Sequence, residues 1–325
     1  MTFPIYPRPT GQSQSSVPLP IGTSTLHASP QGYIPDAGLA NAVNVALLLG
    51  QPLLLTGEPG TGKTGLAYHL SWNLDLGKPF VFEAKTTSTA KDLFYTIDTL
   101  GRFRAGPAKD GVLDFLTYQA LGKAILVANP RSSIQGFISQ DFEHDGPRRS
   151  VVLVDEIDKA PRDFPNDILT EVEYMRFKVP ELSDAYITTS ERYRPILVLT
   201  SNSEKHLPDA FLRRCIYYDI PFPSLERLRE IVLERLDFSG REKTQSLDQA
   251  LDFFIGLRND SVRLTKRPAT AELLGWLDFL ARRAQPKDLR YQPDVLQESL
   301  CCLIKGSDDT RRASEFLEDW VRNRK

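Results

Sequence analysis

The chain has 325 residues, of which 41% are hydrophobic and 25% charged, the ordinary mixture of a soluble globular protein. The formal net charge of -2 excludes a strong overall basic field that would draw the chain to nucleic acid or to a membrane surface. No apolar run approaches the ~20 residues that cross a bilayer, and we see no signal-peptide pattern, so no membrane attachment is expected. The three cysteines include an adjacent pair and no CxxC spacing, so we expect reduced thiols and a cytoplasmic location.

A polar segment precedes a region in which helix and strand patterns alternate. Residues 1–30 are rich in Pro, Ser, Gln and Thr, which predicts a disordered or loosely packed tail. Apolar residues at helical spacing then predict a helix over 37–49. Because helical stretches separate most of the strand patterns that follow, residues 31–222 are predicted to form an α/β core around a five-stranded parallel sheet. The predicted strands are short apolar runs suited to burial on both faces, at 52–56, 80–83, 151–155, 196–201 and 217–221.

The pattern changes after residue 222, where helical periodicity continues without a strand signal. Residues 223–325 are therefore expected to form a separate α-helical domain. The predicted helices lie at 225–236, 246–257, 270–283, 293–305 and 311–322. Two stretches interrupt the core: residues 95–118 predict a hairpin with a charged tip at 104–111, and the polar residues 129–149 predict a mobile loop.

Residues 57–64 match the complete phosphate-loop pattern GxxxxGK[ST]. The loop follows an apolar strand and opens a helix pattern over 64–74, which is the context that the motif requires. Glycines let backbone N–H groups turn toward phosphate oxygens, and the positive end of the helix dipole adds to the attraction. Lys63 is expected to reach the β- and γ-phosphates of ATP, and Thr64 to ligate Mg²⁺. The predicted nucleotide-binding residues of the loop are Glu58, Pro59, Gly60, Thr61, Gly62, Lys63 and Thr64.

Two carboxylates, Asp155 and Glu156, end the apolar run that begins at residue 151. A buried parallel strand delivers the residues at its carboxyl end to the ligand crevice. Asp155 is expected to hold Mg²⁺ together with Thr64, and Glu156 to polarise the attacking water. A solvated acidic turn is the alternative for the pair alone, but the phosphate loop upstream favours the catalytic interpretation. A P-loop kinase is a competing enzyme class, and it has less need of Glu156 because its substrate supplies the nucleophile.

Polar residues also follow the apolar run at 196–201. Asn202 stands where a strand end can orient the lytic water or touch the γ-phosphate, and an ordinary turn asparagine is the alternative. Further on, residues 207–214 predict a short helix that ends in Arg213 and Arg214. An arginine delivered to a neighbour's nucleotide stabilises transition-state charge, whereas two solvated arginines are the simpler interpretation without context.

Together these segments resemble the AAA+ ATPases and, within them, the MoxR-like family. The phosphate loop, the strand ending in Asp155 and Glu156, the strand before Asn202 and the arginine-ended helix occur in that family's order and spacing. The resemblance implies an AAA+ P-loop core with a C-terminal α-helical lid, ATP and Mg²⁺ as cofactors, and ATP hydrolysis. It makes Asn202 the sensor-1 residue and Arg214 the arginine finger, with Arg213 as the alternative.

The same resemblance gives expectations for the lid and for two insertions. Arg267 falls where the sensor-2 region begins, with Lys266 and Arg263 as alternatives. Residues 95–118 and 176–194 resemble two hairpins that the family inserts into its core.

Three functions remain in competition on the sequence alone. The favoured one is ATP-driven, chaperone-like remodelling of a client protein by a ring, by resemblance a hexamer, that works with a separate partner such as a von Willebrand-type protein. A nucleotide-switched scaffold with little turnover is the first alternative. A nucleic-acid motor is the second, and the acidic charge balance disfavours it.

Overall fold

The computed structural model describes residues 29–105, 111–202, 206–236, 241–283 and 288–323. The described residues divide into two compact units, one of residues 33–222 and the other of residues 29–32 together with those after residue 222. Most of the predicted N-terminal tail, and residues 106–110 of the predicted hairpin tip, lie outside the described residues. Within the described part, every helix is too short or too polar to span a lipid bilayer.

The unit of residues 33–222 contains strands and short helices. Its described strands are β1 (Leu53–Gly57), β2 (Phe80–Glu83), β3 (Tyr95–Ile97), β4 (Leu116–Tyr118), β5 (Val151–Asp155), β6 (Arg176–Val179), β7 (Ser183–Thr188), β8 (Ile196–Thr200) and β9 (Ile216–Ile220). Its described helices are α1 (Ala37–Leu49), α2 (Lys63–Asn73), α3 (Thr99–Ala105), α4 (Ala120–Val127), α5 (Arg131–Ile134), α6 (Phe164–Asp167), α7 (Leu169–Tyr174) and α8 (Asp209–Leu212).

Five of these strands form one parallel sheet in the order β2–β5–β8–β1–β9. The first four residues of β1 and β5 and the last four of β8 are buried, because both faces of the sheet are covered. The predicted five-stranded parallel sheet is confirmed, with each strand within one residue of its predicted bounds. All five strands run in one direction, so the sheet has a carboxyl edge, where the strands end, and an amino edge, where they begin.

Two hydrophobic layers cover the sheet. Helices α1 and α2 pack on one face, where they meet the alternate residues Leu53 and Leu55 of β1. Helices α4, α6 and α7 pack on the opposite face, where they meet Leu54 of β1. Successive strand residues point to opposite faces, so the continuous apolar run of β1 serves both layers.

Two antiparallel pairs accompany the main sheet. The pair β6–β7 confirms the hairpin predicted at residues 176–194. The pair β3–β4 confirms antiparallel strands at the two ends of the hairpin predicted at 95–118. Each strand is only three residues long, and helix α3 follows β3 directly in place of a longer strand. Asp98 accepts a hydrogen bond from the backbone N of Gly101 at 2.8 Å, which stabilises the start of a helix.

The segment predicted as a loop at 129–149 also differs from its prediction. It contains α5, and its residues Ile134 and Ile138 are buried in the core on the α4 face of the sheet. The burial of these two isoleucines explains why part of a mostly polar segment folds locally.

The described residues of the second unit after residue 222 form the helical region that the sequence predicts. The helices are α9 (Leu225–Arg235), α10 (Arg241–Leu257), α11 (Thr270–Arg283), α12 (Pro293–Leu303) and α13 (Ser307–Arg322). The indole of Trp276 is fully buried and donates to the hydroxyl of Ser299 at 2.8 Å. The ring of Phe253 lies 5.6 Å from that of Trp276 and 5.3 Å from that of Trp320, so aromatic packing joins three of the helices.

We expect Gly122→Ala to lower the free energy of unfolding by about 1–3 kcal/mol. Gly122 is buried in α4, and an added Cβ would overlap the backbone carbonyl oxygen of Phe94, which cannot rotate away. Gly275 is the matched control because it lies exposed in α11 with no atom within 4 Å of an added Cβ. Gly275→Ala should raise stability by about 0.4–1 kcal/mol. Urea unfolding of both variants measures the difference, and a Gly122→Ala protein of unchanged stability would contradict this packing of α4.

Candidate nucleotide-binding site

The loop between β1 and α2 turns through three glycines. Gly57, Gly60 and Gly62 have φ angles of 132°, 78° and 92°, which residues with a Cβ atom rarely adopt. At Gly57 an added Cβ would also lie 2.6 Å from the backbone oxygen of Ile220 on β9. The loop leads directly into α2, whose first backbone N–H groups have no partner inside the helix. The carboxyl edge therefore has the backbone geometry that phosphate groups require.

The tip of this loop is open to solvent. Glu58, Pro59 and Gly60 are exposed, and the Thr61 hydroxyl donates to the carbonyl oxygen of Glu58 at 2.9 Å. That hydrogen bond closes the turn and leaves the tip accessible to a ligand.

Lys63 lies beneath the loop. Its Nζ donates to the carbonyl oxygens of Gly57 at 2.7 Å and Glu58 at 3.0 Å, and the residue is only 6% exposed. Burial lowers the pKa of Lys63, while the neighbouring carboxylates of Asp158 and Asp155 act in the opposite direction. The ammonium group is thus fixed between the loop carbonyls and a group of acidic side chains.

Asp155 is held by hydroxyl groups from two other elements. The Thr64 hydroxyl lies 3.0 and 3.2 Å from its two carboxylate oxygens, and the Thr200 hydroxyl donates to Oδ1 at 2.5 Å. Thr200 in turn accepts a hydrogen bond from the backbone N of Glu156 at 2.8 Å. Residues from α2, β5 and β8 are joined in this way at the carboxyl edge.

The backbone turns sharply at Glu156. Its φ of 54° and ψ of 50° place it in the left-handed region, which costs a residue with a side chain about 1–3 kcal/mol. Glu156 Oε1 accepts from the Asn202 side-chain amide at 3.0 Å, and Oε2 accepts from Lys159. The backbone N of Asn202 lies 3.3 Å from Asp158, which is buried. The turn and these contacts fix the direction of the Glu156 carboxylate.

Thr200, Asp158 and Lys159 also contact the predicted site residues, although the sequence predicted no role for them. The sequence pattern could have pointed to Thr200, since it is the polar residue that ends the buried run of β8, two positions before Asn202. No sequence signal pointed to Asp158 or Lys159. Their positions follow from the left-handed turn at Glu156, and the residue types around Glu156 do not predict that turn.

The model of the AAA domain (dynein-related subfamily) matches residues 52–215, which is half of the chain and contains this whole cluster. The chain belongs to this family. Its AAA domain is an ATPase-type domain, and proteins of this kind bind a nucleotide, usually with Mg²⁺, and commonly assemble as rings.

Solved structures of other AAA+ proteins align loosely with the chain. Thermotoga maritima RuvB, a Holliday junction branch migration motor, aligns with a TM-score of 0.43 and 14% identity over 84% of this chain and 69% of that chain. A single-residue variant of the same RuvB gives a TM-score of 0.44 with the same identity and coverage. Domain III of the T. maritima replication initiation protein DnaA gives 0.40 and 14% over 94% of this chain and 100% of that chain. No curated protein matches the sequence.

The two arginines expected to reach a neighbour's nucleotide, Arg213 and Arg214, lie outside this cluster. Both are exposed, and the Arg214 Nε lies 2.9 Å from the Glu173 carboxylate. They precede β9, at the amino edge of the sheet, whereas the end of β9 pairs with the start of the phosphate loop. A five-residue strand spans about 16 Å, so Arg213 and Arg214 are remote from Lys63 of the same chain.

The three sensor-2 candidates belong to the other unit. Arg267 pairs with Asp260, and the backbone N of Lys266 donates to Asp309 at 3.0 Å. Arg263 has a left-handed φ of 55° and accepts through its carbonyl oxygen from Arg312. These contacts favour none of the three, so the sensor-2 assignment stays a prediction.

We expect Thr200→Val to destabilise the AAA domain by about 1–3 kcal/mol, because the half-buried N–H of Glu156 and the Asp155 carboxylate each lose a partner. Thr200→Ser keeps the hydroxyl and should restore both hydrogen bonds. Urea unfolding and the ATP hydrolysis rate are measured for both variants. If valine were as stable and as active as threonine, the Thr200 hydroxyl would have no part in organising the site.

Proposed function

We propose that this protein is a MoxR-like ATPase that hydrolyses ATP as a ring and uses the energy to remodel a client protein. The observation that carries the proposal is the convergence of Lys63, Thr64, Asp155, Glu156 and Asn202 at one edge of the sheet, through the contacts described above. Each has the chemistry of one part of a phosphoryl-transfer site.

The oxygen groups of Thr64 and Asp155 fit Mg²⁺, which prefers oxygen ligands and keeps several waters. Their separation of 3.0–3.2 Å lets both approach one ion. Among the described residues, no cluster of three or more His, Cys, Asp or Glu side chains forms a metal site, so phosphate oxygens and water are expected to complete the coordination. When bound, Mg²⁺ would neutralise phosphate charge.

Residues of the chain supply the other functions of the site, from phosphate binding to activation of water. Lys63, with the loop N–H groups and the N-terminus of α2, binds the phosphates of ATP. Glu156 accepts the proton of the attacking water, and Asn202 orients Glu156 through the 3.0 Å hydrogen bond to Oε1. Thr200 fixes the direction of Asp155. The loop residues Glu58 to Gly62 supply the backbone around the phosphates.

A second subunit is proposed to complete the site. Arg214, or its neighbour Arg213, lies at the edge of the sheet opposite the phosphate loop and is exposed, so it is placed to meet the nucleotide of an adjacent copy. A head-to-tail contact of this kind closes into a ring when its rotation permits, and the resemblance suggests six subunits. Arg267, with Lys266 and Arg263 as the alternatives, is proposed as the sensor-2 residue of the helical region.

The client and any separate partner, such as a von Willebrand-type protein, follow from resemblance alone. A nucleotide-switched scaffold would keep the same binding residues and differ only in turnover. The ATPase interpretation is favoured because both carboxylate oxygens of Glu156 are positioned by side chains, which nucleotide binding does not require.

We expect Glu156→Gln to bind ATP with an affinity within a few-fold of the unmodified protein and to hydrolyse it at least ~10²-fold more slowly, since the amide keeps the shape but cannot accept the proton. The exposed Glu143 provides a matched control, and Glu143→Gln should hydrolyse normally. Equilibrium titration with ATP and phosphate release measure the two effects. Normal turnover by Glu156→Gln would show that another group is the base.

We expect two inactive variants to restore activity when mixed. Lys63→Ala loses the loop cation but keeps Arg214, and Arg214→Ala keeps an intact loop, so some mixed interfaces contain one functional site. The measurement is phosphate release by the mixture, with mixed rings verified by native mass spectrometry. A dead mixture in verified mixed rings, or full activity of a dilute monomer, would exclude the shared site.

A further inference from the structure

An open groove of about 400 Å³ lies beside the starts of β2 and β5. Phe80, the first residue of β2, and Arg148, three residues before β5, line it together with residues of β4 and of the segment 139–145. The residues of the candidate nucleotide site lie where the strands end, and none of them belongs to the described lining of the groove. Its volume falls in the range of about 300–1,000 Å³ that ligand sites occupy. The groove is therefore a separate candidate site.

The edge of strand β4 borders this groove. Leu116, Thr117 and Tyr118 are consecutive residues of β4, and all three line the groove. Successive side chains of a strand point to opposite faces, so three consecutive residues meet one groove only along the edge of the strand. In the part of the chain that the structure describes, β4 pairs with β3 alone. An extended peptide can bind such a strand edge through backbone hydrogen bonds.

The floor of the groove is apolar and well fixed. Phe80, Leu113 and Phe142 are half-buried there, and Tyr118 is buried. The rings of Tyr118 and Phe142 meet edge to face with their centroids 6.2 Å apart. The Tyr118 hydroxyl donates to the carbonyl oxygen of Phe137 at 2.5 Å. Apolar side chains of a ligand can therefore lose contact with water on this floor.

Three carboxylates form one wall of the groove. Asp141, Glu143 and Asp145 are exposed and alternate along the chain with the half-buried Phe142 and His144. None of the three carboxylates forms an ion pair within the described part of the chain. They do not form a metal-binding cluster among the described residues either. The acidic wall is thus available to basic side chains of a ligand.

Helix α5 and the residue after the C-cap of α4 hold the acidic wall in place. Arg131 of α5 donates to the carbonyl oxygens of Phe142 at 3.0 Å and Gln140 at 3.1 Å. A nitrogen of the His144 ring lies 2.8 Å from the carbonyl oxygen of Asn129. Because these contacts preorganise the wall, it loses little conformational freedom when a ligand binds.

We propose that this groove binds an extended segment of a partner protein in which apolar and basic residues alternate. The segment adds to the edge of β4 by backbone hydrogen bonds. Since an extended chain has a period of two residues, one set of its side chains meets the apolar floor and the other set meets the acidic wall. The inference goes beyond the proposed function, because binding at this groove requires no ATP.

Charge complementarity selects a basic protein segment as the occupant. Lys123 and Arg148 also line the groove, but they belong to separate elements, whereas the three carboxylates lie on one contiguous segment. That wall repels the phosphates of a nucleic acid. Helix α3 of a second copy is the alternative, since Phe103 is 86% exposed between Arg102 and Arg104. The backbone groups of a helix are bonded within it, so α3 cannot pair with the edge of β4.

The first test uses a rhodamine-labelled peptide of alternating valine and lysine, six residues long, without nucleotide. Its control has the same composition in two blocks, which breaks the period of two. Fluorescence anisotropy should show one alternating peptide bound per chain, at least tenfold more tightly than the control. Hydrogen exchange of backbone amides should slow at residues 116–118 and 139–145. Absence of saturable binding up to about 1 mM peptide, equal binding of the two peptides, or slower exchange only elsewhere would contradict the inference.

A triple variant tests the acidic wall. Asp141→Asn with Glu143→Gln and Asp145→Asn should weaken binding of the alternating peptide at least tenfold. None of these side chains forms an ion pair in the described part of the chain, so the fold should be retained, and thermal unfolding checks this.

The matched control removes the same charge from the exposed surface of the helical region, by Asp294→Asn, Asp308→Asn and Glu315→Gln. It should bind the peptide normally. Unchanged binding by the groove variant, or an equal loss in the control, would show that the wall does not recognise the peptide. Altered sedimentation of the groove variant without peptide would assign the groove to a second copy and also overturn the inference. These outcomes do not involve ATP hydrolysis, so they are distinct from failure of the proposed function.

Discussion

Strand β8 lies between β1 and β5 and hydrogen-bonds to both, and the site depends on this pairing. The register sets Leu55 beside Thr200 and Val154 beside Leu199, so the three strands end at the same level. Since adjacent strands lie about 4.8 Å apart, the phosphate loop and the acidic pair are about 10 Å apart at the backbone. Thr64 and Asp155 close that gap with their side chains. The insertion of β8 between segments distant in sequence therefore creates the site.

The same parallel pairing keeps the strand ends and the strand starts on opposite edges of the sheet. Glu83 and Asp155 are the last residues of β2 and β5, and arginines precede the starts of β5, β8 and β9. An antiparallel sheet would mix strand ends and strand starts along each edge, whereas a parallel sheet keeps them apart. Catalytic chemistry and the proposed subunit contact are consequently assigned to opposite edges of one rigid element.

One residue of the site, Glu156, has a strained backbone conformation. Glu156 adopts a left-handed conformation at a cost of about 1–3 kcal/mol, and the hydrogen bond from its backbone N to Thr200 holds it there. After this turn, the Glu156 carboxylate accepts a hydrogen bond from the Asn202 side chain. The two adjacent carboxylates therefore have different partners: Asp155 contacts the hydroxyls of Thr64 and Thr200, and Glu156 contacts the side chains of Asn202 and Lys159.

The sequence by itself determined the parallel sheet, the helical region after residue 222 and the residues of the phosphate loop. These are encoded locally, because continuous apolar runs require burial on both faces and because glycines alone tolerate the φ angles of the loop. At residues 95–118 it predicted the paired strands at the two ends but missed helix α3, which begins where Asp98 accepts a hydrogen bond from Gly101.

Only the tertiary structure decided what depends on contacts between distant segments. Thr200 donates a hydrogen bond to Asp155, which lies 45 residues earlier in the chain. Arg194 donates one hydrogen bond to Gly50 at the end of α1, 144 residues earlier, and another to Glu173. The opposite placement of Arg214 and the phosphate loop follows from the pairing of β9 with β1, which no local pattern specifies. Residue types predict which chemical groups a phosphate site contains, but strand order decides which of those groups lie together within one chain.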